Sequence, residues 1–210
     1  GDGNDHVTLG SGNDVVLTGE GDDHVEAGAG ADRVFGDAGR DELHGEAGND
    51  VLDGGADSDR VFGGEGDALI VATADVADDC YDGGEGWDTI DFSATGKGVV
   101  VDLPRGTATG IEIGRDALID FEAIVGGSGD DSLIVGDTAT ALIGGGGDDR
   151  FVFDVSDNAT RTGDLVHQIL DLETGDRIVV KQYQLRSLGA EEGDGKGQGD
   201  DGFEQAYGAA

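Results

Sequence analysis

Residues 1–9, 10–18 and 19–27 read GDGNDHVTL, GSGNDVVLT and GEGDDHVEA, one nine-residue phrase in three successive copies. Asp occupies the fifth place of each copy, and an aliphatic residue follows two positions later. Carried forward by nines, the acid recurs at Asp5, Asp14, Asp23, Asp32, Asp41, Asp50 and Asp59, and Ala68 breaks the series. The aliphatic recurs at Val7, Val16, Val25, Val34, Leu43, Leu52, Val61 and Ile70. The phrase returns at 83–91 (GGEGWDTID), 126–134 (GGSGDDSLI) and 144–152 (GGGGDDRFV), with a worn copy, VGDTATALI, between the last two. A fixed period of this kind is the signature of a repeat architecture.

Elementary chemistry gives the phrase a purpose. Gly adopts backbone angles that a Cβ forbids, so a Gly-rich loop can aim several carbonyls at one point. Asp adds formal charge there, which suits a hard cation taking six to eight oxygens. The residues after Asp suffice for a short strand whose middle side chain faces one way and its neighbours the other. Stacking such units predicts an all-β parallel solenoid with a thin aliphatic core and acidic loops on its edges.

Composition points the same way. The chain has 210 residues, of which 42 are Gly, and 47 acids against 12 bases leave a net charge of −35. Nucleic acid and anionic membranes both require a basic face and are excluded as partners on that ground. A cation is the natural counter-charge. No apolar run reaches membrane-spanning length, and the single Cys80 excludes an intrachain disulfide. The chain opens in mid-repeat without a charged-then-apolar leader, which reads as a piece of a longer polypeptide whose upstream domains are natural partners.

The repeats match G-G-x-G-x-D-x-U-x and so resemble the calcium-binding nonapeptides of the RTX (repeats-in-toxin, haemolysin-type) family. The resemblance implies a β-roll in which two nonapeptides make one turn, so that loops two repeats apart stack. One loop would offer carbonyls at motif positions two and four plus its Asp, and the loop above positions one and three plus its own Asp. On this chain Gly1, Gly3 and Asp5 would face Thr18, Glu20 and Asp23. Gly10, Gly12 and Asp14 would face Ala27, Ala29 and Asp32; Gly19, Gly21 and Asp23 would face Gly36, Ala38 and Asp41. Gly28, Gly30 and Asp32 would face Gly45, Ala47 and Asp50, and Asp37, Gly39 and Asp41 would face Gly54, Ala56 and Asp59. A sixth site would need Ala68 as its second carboxylate and is expected to be weak or empty. A separate site would join Gly127, Gly129 and Asp131 to Gly144, Gly146 and Asp149. Asp88, a further ligand candidate, would stack on Asp59 if the roll resumes after an eleven-residue insertion. The expected load is about six or seven calcium ions at six to eight oxygens each. Asp37 and Glu46 replace Gly at position two, and Asp57 replaces it at position four.

The family resemblance further implies export by type I secretion machinery, without a signal peptide, and an extracellular location. One aliphatic per nine residues falls short of offsetting the entropy of ordering a Gly-rich chain, so folding is expected to require calcium. The expected organisation is a first roll block at 1–91, a β-strand insertion at 92–125 and a second roll block at 126–152. A capping β-hairpin at 153–188 and a disordered tail at 189–210 would follow. The hairpin reading rests on two apolar runs in LVHQILDLETGDRIVV. GGGGDDRFVF followed by ILDLETGDRIVV is similar to the end of the rolls in serralysin-type proteases and alginate epimerases. That likeness raises an alternative function, an accessory carbohydrate-binding module of a secreted enzyme.

Parity separates two outer faces. Even repeats point Val15, Leu17, Arg33, Phe35, Val51, Asp53, Leu69 and Val71 outward, whereas odd repeats present His6, Thr8, His24, Glu26, Glu42, His44, Arg60 and Phe62. The apolar even face is expected to lie under the insertion or the cap, self-association being the alternative. Trp87 is expected to pack on the insertion. His6 and His24 fall on adjacent rungs, where a solvated pair outweighs a transition-metal site. There is no H-E-x-x-H or G-x-S-x-G and no nucleophile–base pair, so this chain is read as a non-enzyme, with any catalysis in another part of a longer protein.

Overall fold

The structure, a computed structural model, describes residues 1–156, 166–183 and 203–208. The first repeats form β1 (His6–Thr8), β2 (Val15–Glu20), β3 (His24–Glu26), β4 (Arg33–Ala38), β5 (Glu42–His44) and β6 (Val51–Asp53). β7 (Arg60–Glu65), β8 (Leu69–Val71), β9 (Cys80–Glu85) and β10 (Thr89–Asp91) continue them. β11 (Val99–Asp102), β12 (Thr107–Gly110), β13 (Gly114–Ile119) and β14 (Ala123–Val125) follow, with a 3₁₀ turn at Leu103–Arg105. β15 (Ser132–Val135), β16 (Thr140–Ile143), β17 (Arg150–Ser156), β18 (His167–Ile169), β19 (Arg177–Tyr183) and β20 (Phe203–Gly208) complete the described elements.

Successive strands alternate between two sheets, as a nine-residue period with an 18-residue turn requires. The even sheet runs β18-β16-β14-β10-β8-β6-β4-β2, and the odd sheet begins β1-β3-β5-β7-β9. All these neighbours are parallel, with Val7 opposite Val25 and Val16 opposite Val34. The aliphatic of each repeat therefore stacks on its equivalent one turn away, and Val25, Val34, Leu43, Leu52, Val61 and Ile70 are completely buried. The molecule is a parallel β-roll.

The insertion enters this roll edge to edge. The odd sheet continues β9-β13-β12-β11-β15, with β12 antiparallel to both neighbours while β13 runs parallel to β9 and β11 parallel to β15. The insertion therefore lengthens the odd sheet instead of crossing the even face, contrary to expectation. Val15 and Leu17 are 66% and 65% exposed. Phe35 is half-buried, with Leu17 and Asp53 as its neighbours on the adjoining rungs. Trp87, expected against the insertion, is 45% exposed.

Three further expectations change. The eleven-residue insertion before Asp88 is a repeat lengthened by two residues: β9 is a regular rung with Tyr81 inward, opposite Val61. The hairpin is replaced by another turn of the coil, because β18 pairs parallel with β16 in one sheet and β19 parallel with β17 in the other. Glu173–Asp176 joins the two sheets instead of reversing one strand. An antiparallel pair does end the odd sheet, but it is β19 with β20. β20 lies within the stretch expected to be a disordered tail; residues 184–202 lie outside the described residues.

Candidate metal centre

The turn of each repeat precedes its strand, so stacking the strands stacks the turns. In the odd column the N–H of Asp5 donates to Asp23 Oδ1 (2.6 Å), that of Asp23 to Asp41 Oδ1 (2.8 Å) and that of Asp41 to Asp59 Oδ1 (2.9 Å). In the even column Asp14 donates to Asp32 (2.7 Å) and Asp32 to Asp50 (2.8 Å). One oxygen of each carboxylate thus holds the turn before it.

The other oxygen is the informative one. Oδ2 of Asp23, Asp32, Asp41 and Asp50 is buried without any hydrogen-bond partner. A buried carboxylate oxygen without a donor carries a desolvation cost of several kcal/mol. Burial, added to by neighbouring carboxylates, pushes Asp41 up to about 6 and Asp59 to about 8, although each accepts a backbone N–H that acts the other way. Asp149 rises to about 6 for the same reasons.

The turns are shaped around these oxygens. At motif position one, a Cβ on Gly36 would run into both Asp41 Oδ2 and the Gly54 carbonyl oxygen. At position four, Gly30 has φ 144°, and a Cβ there would strike the Gly12 carbonyl. Where Gly is replaced the backbone keeps its sign: Asp37, Glu46 and Asp57 have φ of 70°, 69° and 77°. The irregular positions preserve the turn at the cost of strain.

Each anticipated pair of turns is in contact. The Gly1 N–H₃⁺ reaches the Thr18 carbonyl, the Glu20 N–H donates to Gly1 O and the Gly3 N–H to Glu20 O. Ala29 stands between Gly10 and Gly12 in the same way, Ala47 between Gly28 and Gly30, and Ala56 between Asp37 and Gly39. Gly21 donates to Ala38 O, and Gly19 lies opposite Asp37. In the second block Gly146 donates to Gly127 O and Asp131 to Asp149 Oδ1. There, however, Asp131 Oδ2 already accepts the Gly127 N–H.

Asp88 does not meet Asp59. It lies in the even column, where its Oδ1 accepts the Ala68 N–H at 2.7 Å and its own N–H donates to Glu122 Oε2 at 2.9 Å. Asp59 is followed instead by Asp79 and then Asp116, whose Oδ1 atoms accept the preceding N–H. Asp79 Oδ2 takes the Tyr81 hydroxyl at 2.9 Å, so that carboxylate is fully satisfied by protein. Oδ2 of Asp88 and of Asp116 is buried and unpartnered. Asp176 closes the odd column on Asp149. Counting nine back from Asp88 reaches Asp79, and nine back from Asp131 reaches Glu122, so both were open to the repeat phase. Asp116, inside the insertion, carries no such signal.

The oxygens beside these turns are carboxylates and Gly-rich carbonyls: Asp41 Oδ2 and the Gly54 carbonyl both crowd Gly36, and Asp50 Oδ2 and the Gly63 carbonyl both crowd Gly45. That composition fits a hard divalent cation, and a flexible, carbonyl-rich set favours calcium over the smaller, water-retaining magnesium. Residues 1–34, 9–43 and 35–70 match the family described as RTX calcium-binding nonapeptide repeat (4 copies). No curated protein matches the chain at a significant level.

Proposed function

Given that residues 1–70 are RTX calcium-binding nonapeptide repeats, we propose that this calcium-binding module folds when calcium reaches it outside the cell. The row of buried, unpartnered Asp Oδ2 atoms carries the reading. In the first block calcium would be held between Asp5 and Asp23, Asp14 and Asp32, Asp23 and Asp41, Asp32 and Asp50, and Asp41 and Asp59. The carbonyl-bearing residues of the stacked turns named above would complete each set. Asp131 with Asp149, and Asp88 with Glu122, bring the proposed load to about six or seven ions. Calcium supplies the counter-charge. The chain supplies the pre-bent turns, the carboxylates and the interior stack that sets their spacing.

Because a fully formed site needs two turns, binding and coiling are one equilibrium. A net charge of −35 opposes coiling until cations arrive. Such a chain suits type I export, in which it would cross a calcium-poor cytosol uncoiled and fold at millimolar calcium outside, assisting upstream domains of the same polypeptide. The exposed Val15 and Leu17 on the even face support self-association as an additional property. Calcium titration by calorimetry, with native mass spectrometry to count ions, tests the function. About six or seven ions per chain are expected, and one ion or none rejects the reading.

A further inference from the structure

The outer face of the odd sheet carries a polar cluster that the aspartate columns do not use. Parallel register sets His24 opposite Glu42 and Glu26 opposite His44, with His6 one rung before His24. Glu42 Oε1 lies 3.1 Å from His44 Nε2 and 3.6 Å from His24 Nδ1. The three ligand atoms fall within 4.8 Å of one another. Tetrahedral zinc, with bonds of about 2.0–2.1 Å, keeps its ligands about 3.3 Å apart. The two contacts to Glu42 bracket that separation.

The surroundings orient the rings. His24 Nε2, the nitrogen turned away from Glu42, lies 3.7 Å from Glu26 Oε1, an ion-pair separation from which a small ring rotation would make the carboxylate–histidine hydrogen bond of a metal-binding imidazole. His6 stacks on His24 with centroids 4.8 Å apart and planes 9° from parallel, and His44 stacks on Phe62 at 4.7 Å and 8°. Arg60 sits 3.9 Å from Glu42 Oε2, the other oxygen of that carboxylate. Oε1 is thereby left to the histidines.

The geometry points to a surface site for a divalent transition metal of the zinc, nickel or copper class at His24, Glu42 and His44, with Glu26 as the orienting carboxylate. Imidazole nitrogens select these ions over calcium. The site is chemically distinct from the acidic columns, yet it depends on the proposed calcium-folded roll, because its ligands come from two turns and meet only when β3 and β5 pair.

The test is calorimetric titration of the full chain with zinc chloride in millimolar calcium, followed in parallel by the histidine ring resonances in NMR. One zinc per chain is expected, shifting the rings of His24 and His44 while leaving His167 unmoved. His24→Gln and His44→Gln should each weaken binding at least about tenfold, and Glu26→Gln about tenfold. Circular dichroism in calcium should be unchanged for each outward-facing substitution. Zinc binding that survives His24→Gln and His44→Gln, or no zinc binding by a chain that is β-rolled in calcium, overturns the site. A chain that stays uncoiled in calcium would instead reject the calcium reading, and a zinc titration alone leaves that reading untouched.

Discussion

The main-chain N–H of Asp14 donates to Asp32 Oδ1 at 2.7 Å, while Asp32 Oδ2 stays buried and unpartnered. One oxygen of the carboxylate thus holds the preceding turn, and the other is the one the proposed function gives to calcium. Because the next turn repeats the arrangement, Asp32 would serve two of the proposed sites where Asp5 would serve one.

Asp32→Asn separates the two tasks. The amide oxygen still accepts the Asp14 N–H, but the charge is gone from both adjoining sites. Calorimetric ion counting should find two tight sites lost in Asp32→Asn and one in Asp5→Asn. Equal losses would contradict the sharing of carboxylates between turns.

Ala68 interrupts the even column between Asp50 and Asp88, its N–H bound to Asp88 Oδ1 at 2.7 Å. Ala68→Asp should restore the missing carboxylate and add at least one calcium ion to the count. The same substitution should make the chain harder to coil in chelator, since another buried charge joins the column. An unchanged count would show that the column tolerates no ion there.

Protons and calcium compete for these carboxylates. Asp41 and Asp149 are raised from 3.8 to about 6, and Asp59 and Asp116 to about 8, all chiefly by burial. A carboxyl group raised on folding favours the coil fully below its unfolded value of 3.8 and loses that contribution as pH climbs through 6 to 8. In chelator, acidification from about pH 8 to pH 4 should therefore increase β structure. At pH 7 the uncoiled chain already carries ionised carboxylates, so calcium binding should release few protons and the calorimetric heat should depend little on buffer ionisation enthalpy. A chelated chain whose β structure does not rise on acidification would contradict the raised values.

Backbone strain makes opposite predictions at two turns. Gly30→Ala places a Cβ against the Gly12 carbonyl at φ 144° and should destabilise the calcium-loaded roll by more than about 2 kcal/mol in urea unfolding. Asp57→Gly relieves a left-handed Asp at φ 77° and should stabilise by about 1 kcal/mol. Asp57 is exposed, and its N–H bond to Asp75 Oδ2 uses the main chain only, so Gly keeps it.

The repeats were legible because one residue in nine has nowhere to go but inward: Val25, Leu43 and Val61 mark the interior and, by counting back two, the acidic turn. Asp79 and Glu122 obey the same phase, hidden by substitutions around them. The fate of 166–183 was not legible. Two apolar runs around Glu173–Asp176 satisfy the local rule for a hairpin, and only pairing with β16 and β17 sends them to different sheets. The strands of the insertion could be read from Val99–Val101 and Ala117–Ile119, but their places between β9 and β15 depend on contacts far away in sequence. Asp116 reached the odd column by that route alone.

Whether divalent ions hold the coil together is read most directly by far-ultraviolet circular dichroism of the full chain, first in chelator at neutral pH and then with millimolar calcium. An unfolded-chain spectrum that converts cooperatively to β structure as calcium is added is the predicted result. A β spectrum already complete in chelator, and unchanged by calcium, would contradict it.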